Sequence, residues 1–118
     1  QLKDQMYRSR SWVSICDDII KELPKHVYIS FDIDGLDHKL CPDTGTHVPG
    51  GLEFEQAVFL IEMIARSGKK IIGFDLNEVA PGKNDPEGAG WNGNVGARML
   101  FKMCNIAAVS NGMAKWNQ

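Results

Sequence analysis

His26-Val-Tyr-Ile-Ser-Phe-Asp32-Ile-Asp34-Gly-Leu-Asp37 is the stretch that decides the fold. Val27 to Ile33 is rich in β-branched and aromatic residues and predicts a buried strand. Carboxylates at the end of such a strand are costly unless something compensates them. Residues i and i+2 of a strand share a face. Asp32 and Asp34 are therefore expected to aim at one spot, where like charges repel. A metal cation or a shared proton relieves that repulsion. The competing reading is a turn, with one or both aspartates capping the chain before Gly35.

Working outward, Ser11 to Leu23 predicts an amphipathic helix. Trp12, Ile15, Cys16, Ile19, Ile20 and Leu23 follow the i, i+3, i+4, i+7 pattern. Ser9 or Ser11 can cap its start and Pro24 stops it. Beyond the strand, Gly35 to Gly51 is a loop whose length marks it as functional or disordered, and its small residues favour an ordered loop facing a ligand. Glu53 to Arg66 is the second helix, with Phe54, Ala57, Val58, Ile61, Ile64 and Ala65 as its apolar stripe and Ser67-Gly68 as its end. Lys70 to Leu76 predicts a second strand. Its apolar residues run together without alternating, as in a parallel sheet covered on both faces. A Gly/Asn/Asp/Pro-rich loop, Pro81 to Gly93, leads to a last helix over about Asn94 to Val109. There Asn92 or Asn94 is the candidate cap and Val95, Met99, Met103 and Ile106 face inward. Strand, helix, strand is a βαβ unit, hence an α/β fold with parallel strands and a right-handed crossover. Two strands leave edges and a face open, so the unit is expected to pair with another chain or with strands upstream.

Composition narrows the function classes. The chain has 118 residues, 43% hydrophobic and 24% charged, with a net charge of −2. That is the balance of a globular protein, and the absence of a basic block disfavours nucleic acid. No apolar run approaches the roughly 20 residues that cross a bilayer, and Gln1 to Arg10 shows no signal-peptide pattern. Cys16, Cys41 and Cys104 have no metal-type spacing. Cys16 and Cys104 fall on apolar helical faces, so buried free thiols in a reducing cytoplasm are expected. The sequence opens Gln1-Leu-Lys-Asp without an initiator Met, and the expectation is a piece of a longer protein.

Ligands of open α/β sheets bind beyond the carboxyl ends of the strands. Asp32 and Asp34 lie at one such end. Asp75 and Glu78, in Gly73-Phe-Asp-Leu-Asn-Glu-Val-Ala-Pro81, lie at the neighbouring one. Four carboxylates are expected to converge there, and oxygen ligands of that kind suit Mn²⁺ or Mg²⁺.

These motifs resemble the ureohydrolase family of arginase, agmatinase and formiminoglutamase. The matching residues are Ser30-Phe-Asp-Ile-Asp-Gly-Leu-Asp37, Thr44-Gly-Thr46, Gly50-Gly-Leu52 and Asp75-Leu-Asn-Glu-Val79. The likeness runs from Val27 to the last helix and is closest on the arginase and agmatinase side. It implies a three-layer α/β/α fold with a parallel sheet, of which residues 1–118 would be the C-terminal βαβα segment of a single arginase-like domain. It further implies a hydrolase with two Mn²⁺ ions per complete site, cleaving a guanidino or formimino C–N bond and releasing urea or a related amide. Asp32 resembles the aspartate that bridges both ions, and Asp34 the one that holds the second. Glu78 is similar to the glutamate that grips the guanidinium group. Asp75 matches an acidic residue at the floor of that pocket, and Thr46 a small polar residue lining it. No residue of this segment is assigned acid or base catalysis. The expected partners are a guanidino-type substrate, the rest of the parent chain and further copies in a homo-oligomer, with neither nucleic acid nor membrane.

The family's two histidines and two further aspartates belong to segments that have no match here. His26 would lie at the far end of the strand. His38 and His47 stand where relatives often carry proline, and are read as surface or pocket-rim residues, with metal ligation the minority alternative. The resemblance thus implies that the chain alone cannot complete the metal cluster and is inactive by itself. Two rivals stay open. Phe31-Asp-Ile-Asp-Gly35 also resembles the nucleophile motif of haloacid-dehalogenase-type phosphatases, although Leu36 stands where these carry threonine. A non-catalytic ureohydrolase relative is the other. The loop from Lys83 to Trp91 offers no readable code for the substrate.

Overall fold

A computed structural model of the chain describes residues 7–82 and 90–116; most of the Lys83-to-Trp91 loop therefore lies outside the described residues. Among these residues three helices, α1 (Trp12–Glu22), α2 (Phe54–Arg66) and α3 (Trp91–Ser110), accompany two strands, β1 (His26–Asp32) and β2 (Lys70–Asn77). The strands are parallel neighbours in one sheet, with α2 as the crossover. The α/β class and the parallel βαβ order are as the sequence indicates.

Local chemistry sets the boundaries. The Ser11 side chain accepts from the Ser14 amide and caps α1, and Leu23 closes the helix just before Pro24. At α2 the Glu53 and Gln56 side chains cap each other's backbone in a capping box. Gly68, at φ +84°, carries the chain out of that helix. One core joins Ile20 of α1, Ala57, Val58, Ile61 and Ile64 of α2, and Val95, Met99, Met103 and Ile106 of α3 to Val27 and Ile71 of the strands. These are the positions that helical periodicity marks as inward.

The structure departs from the sequence expectations at several points. β1 ends at Asp32, and Ile33–Gly35 forms a 3₁₀ turn. Asp34 therefore leaves the pleat, because a 3₁₀ turn rotates successive residues by about 120°. β2 runs on to Asn77 and carries an irregularity: Val27 pairs with Ile71 but Tyr28 with Gly73. Among the described residues the sheet is covered on one face only. Tyr28 and Ile72 on the other face are 57% and 63% exposed, so the continuous apolar run of β2 does not reflect two covered faces among the described residues. α3 begins at Trp91, a turn earlier than expected, with Gly90 at the cap position. Asn92 is buried in the first turn and its Nδ2 donates to the Ala80 carbonyl at 3.3 Å. Cys104 is exposed, whereas Cys16 and Cys41 are buried. Burial pushes the Cys16 thiol up to about 11, which keeps it protonated and unreactive.

Candidate functional site

The C-terminal end of β1 opens into a folded loop. The Leu52 amide donates to the Gly35 carbonyl at 2.9 Å, and the Asp37 amide to the Leu52 carbonyl at 2.8 Å. These two bonds make a short parallel bridge, Leu36 to Leu52. It closes the loop at its base, with Leu36, Cys41 and Thr44 buried inside. A second 3₁₀ turn, His38–Leu40, is capped by Asp37, whose side chain accepts from the Lys39 amide. The turn-capping role considered for the aspartates thus falls to Asp37. Outside, the Lys39 ammonium pairs with Glu53, and the Trp91 indole N–H donates to the Lys39 carbonyl at 3.0 Å. Loop, α2 and α3 are tied together.

This loop delivers Thr46 to Asp34, and the Thr46 hydroxyl donates to Asp34 Oδ2 at 2.5 Å. Among the described residues the second oxygen of Asp34 has no hydrogen-bond donor. Asp32, the last residue of β1, is exposed and pairs in register with Asn77. Both are hard oxygen donors of the kind that Mn²⁺ takes, and among the described residues no cation pairs with either. Asp32 and Asp34 thus fit part of a metal-ligand set. Among the described residues no three His, Cys, Asp or Glu side chains gather as a metal site, and the convergence of four carboxylates is not seen there.

Asp75 explains part of that difference. It sits inside β2, opposite Ser30, two residues below the Asp32–Asn77 rung, which is roughly 7 Å along the strand. Three side chains donate to it: the Tyr28 hydroxyl at 2.9 Å, the Ser30 hydroxyl at 2.9 Å, and Asn77 Nδ2. The Tyr28 hydroxyl, then that of Ser30, holds the Asp75 carboxyl below the usual carboxylate range. The same bond raises the Tyr28 phenol, since a deprotonated oxygen beside Asp75 would lose its bond and meet a like charge. Sequence reasoning missed Tyr28 and Ser30. The signal was the period of two, which puts both on the face of Asp32.

Glu78, just past β2, has φ +63°. A glutamate in left-handed backbone is uncommon and costs on the order of 1 kcal/mol. Its neighbours fix it there. The Val79 methyls lie where a Cβ on Gly96 would stand, at 2.9 Å, so α3 approaches this segment closely because position 96 has no side chain. The Asn92 bond to Ala80 closes the other side. The Glu78 side chain is exposed.

Adjacent parallel strands with carboxylates at and beyond their C-terminal ends are an open α/β arrangement, a class whose ligands bind beyond those ends. The family is narrower: the model described as Arginase family matches residues 2–104, and the chain belongs to that family. N(1)-aminopropylagmatine ureohydrolase of Thermus thermophilus is 46% identical over 65 residues, 55% of this chain and 22% of that protein. Agmatinase of Pyrococcus horikoshii is 38% identical over 88 residues, 66% of this chain and 31% of that protein. Among solved structures, proclavaminate amidino hydrolase from Streptomyces clavuligerus superposes with a TM-score of 0.71 at 28% identity, over 85% of this chain and 33% of that one. The chain thus spans between 22% and 31% of the length of these two curated relatives. The arginase-like fold inferred from the motifs is the fold of these neighbours, and the phosphatase alternative finds no support among them.

Proposed function

We propose that the protein carrying this chain is a manganese-dependent ureohydrolase that cleaves the C–N bond of a linear guanidino compound, releasing urea or a related amide. The observation that carries this is the placing of Glu78, an exposed carboxylate on strained backbone at the strand end, beside the strand end that bears Asp32 and Asp34. Strain of this kind at a strand end supports a functional role. The names of the relatives, which act on agmatine, arginine or aminopropylagmatine, support the substrate class.

Asp32 is the proposed bridging ligand of two Mn²⁺ ions and Asp34 the ligand of one. When bound, such ions lower the pKa of water so that a nucleophile exists near neutral pH. The chain's own residues do the rest. The Thr46 hydroxyl fixes Asp34 and leaves its other oxygen for the metal. Glu78 meets the planar guanidinium with two parallel acceptors, the geometry that such a cation prefers. Asp75, kept anionic by Tyr28 and Ser30, adds negative potential at the pocket floor and favours a cationic substrate.

The site needs ligands from the rest of the parent chain. The isolated 118-residue chain is expected to bind Mn²⁺ weakly and to release no urea. Calorimetric titration with Mn²⁺ checks this, and tight binding of two ions by the chain alone would overturn it. In the complete protein Asp32→Ala is expected to lower urea release by well over the 10–100-fold typical of losing an outer-shell partner. Near-normal turnover in that variant would remove the bridging role. A parent protein that binds Mn²⁺ yet releases no urea from any guanidino compound would leave the non-catalytic reading standing.

A further inference from the structure

We propose that His38 and His47 form a second metal site, taking a single transition-metal dication of the Zn²⁺ type and separate from the carboxylates of the strand ends. The two residues are nine apart in sequence, yet the folded loop brings their rings into contact. The centroids are 4.3 Å apart and the planes are inclined at 35°. Both side chains are exposed, so neither ring is there to fill the core.

The decisive contact is on the inner side of His47. Its Nδ1 lies 3.0 Å from the Thr44 carbonyl. A carbonyl only accepts, so Nδ1 carries the hydrogen and the lone pair belongs to Nε2, which is directed away from that bond. A backbone acceptor behind Nδ1 is the usual support of a histidine that ligates through Nε2, because it fixes both tautomer and ring direction. Thr44 itself is buried and its amide is bonded to the Cys41 carbonyl at 3.3 Å, so the support is rigid. His38 opens the 3₁₀ turn that Asp37 caps, and the Cys41 amide donates to the His38 carbonyl at 3.1 Å. Both imidazoles thus stand on pinned backbone. Binding requires that the two side chains turn from ring contact until one nitrogen of each reaches the same ion.

The ligand type selects the metal. Imidazole suits Zn²⁺, Cu²⁺ and Ni²⁺, whereas Mn²⁺ and Mg²⁺ favour oxygen. Among the described residues no third His, Cys, Asp or Glu side chain joins the pair, so water fills the remaining positions of the ion. His47 adjoins Thr46, and Thr46 holds Asp34. An ion clamped between the rings would therefore fix the loop that sets the Asp34 carboxylate.

Zn²⁺ binding to the protein kept in excess Mn²⁺ tests this. Wild type is expected to take one additional Zn²⁺, with imidazole scattering in its X-ray absorption spectrum. His38→Ala and His47→Ala should each weaken that binding at least about tenfold, while His26→Ala, at the opposite end of β1, and Asp34→Asn leave it unchanged. Both histidines are exposed, so these variants keep the core. An affinity unaffected by both histidine substitutions would overturn the proposal. So would an equal loss in Asp34→Asn, which would assign the ion to the strand-end carboxylates, or a spectrum without imidazole scattering.

Discussion

Replacing Gly51 by alanine tests how the loop is held to the strand end. A Cβ at position 51 would stand 2.2 Å from the Leu36 carbonyl oxygen, 2.3 Å from its carbon and 2.6 Å from the Asp37 nitrogen. All three are backbone atoms and none can rotate away, whereas ordinary contact begins near 3.4 Å. The two segments must separate by roughly 1 Å, and the bonds between Leu52 and Gly35 and between Asp37 and Leu52 are lost or badly stretched. Two such bonds contribute about 1 kcal/mol each, and the overlap itself adds on the order of 1–3 kcal/mol. The expected loss is about 3–5 kcal/mol. Gly45 in the same loop supplies the control, since a Cβ there meets nothing within 4 Å; Gly45→Ala should stay within about 0.5 kcal/mol. Urea unfolding of both variants measures the difference from the midpoints at constant slope. Because the bridge delivers Thr46 to Asp34, urea release should fall with stability in Gly51→Ala and hold in Gly45→Ala. Equal midpoints for the two variants would refute the reasoning, since the chain would then have an alternative way to close the loop.

Further predictions concern the face and end of β2. Tyr28→Phe removes the strongest donor to Asp75. A carboxyl lowered by folding adds stability above its unfolded pKa and loses it as pH falls through the folded value. The variant, whose folded value lies closer to the unfolded one, should therefore lose less stability on acidification than wild type, and the difference between the two should vanish below the folded value of wild type. At the alkaline side the sign reverses: the raised Tyr28 phenol adds stability below about pH 10 that is lost as pH climbs through its folded value, and the variant lacks this loss. Thermal unfolding against pH reads both limbs, and superimposable profiles would show that the bond carries no weight. At Glu78, Gly should relieve the left-handed backbone and raise stability by about 1 kcal/mol while urea release collapses. Gln should leave stability within about 0.5 kcal/mol and raise KM for a guanidino substrate. A Glu78→Gly protein that keeps both activity and its original stability would show that neither the strain nor the carboxylate matters.

Much of the fold was legible because burial imposes periodicity. Val95, Met99, Met103 and Ile106 recur at helical spacing and all four are buried; Ile15, Cys16 and Ile20 behave alike in α1. Cys104 is the counterexample. It adjoins Met103, and a step of 100° along the helix carries it out of the buried stripe. The start of α3 was misread because asparagine is a good cap wherever its side chain can reach back to an amide. Asn92 instead spends its donor on the Ala80 carbonyl, a long-range contact with no local signature.

The candidate site shows the same division more sharply. Its residue types were visible, since carboxylates at strand ends are conspicuous against an apolar run, but their geometry was not. Strand periodicity assigned Asp32 and Asp34 to one face, and the chain escapes that face by turning at Ile33. That turn takes Asp34 out of the strand pleat, and Thr46 gives its carboxylate a neutral donor. Asp75 is treated likewise, with Tyr28 and Ser30 supplying hydroxyls. The charge for which the sequence predicts a neutralising cation is thus partly managed by hydrogen bonds within the chain. Among the described residues, those bonds leave unused the exposed Asp32, one oxygen of Asp34 and the exposed carboxylate of Glu78. A cation brought to this strand end would meet these unspent acceptors first, which is why the proposed roles of metal ligand and guanidinium partner fall on these three residues and the role of electrostatic support on Asp75.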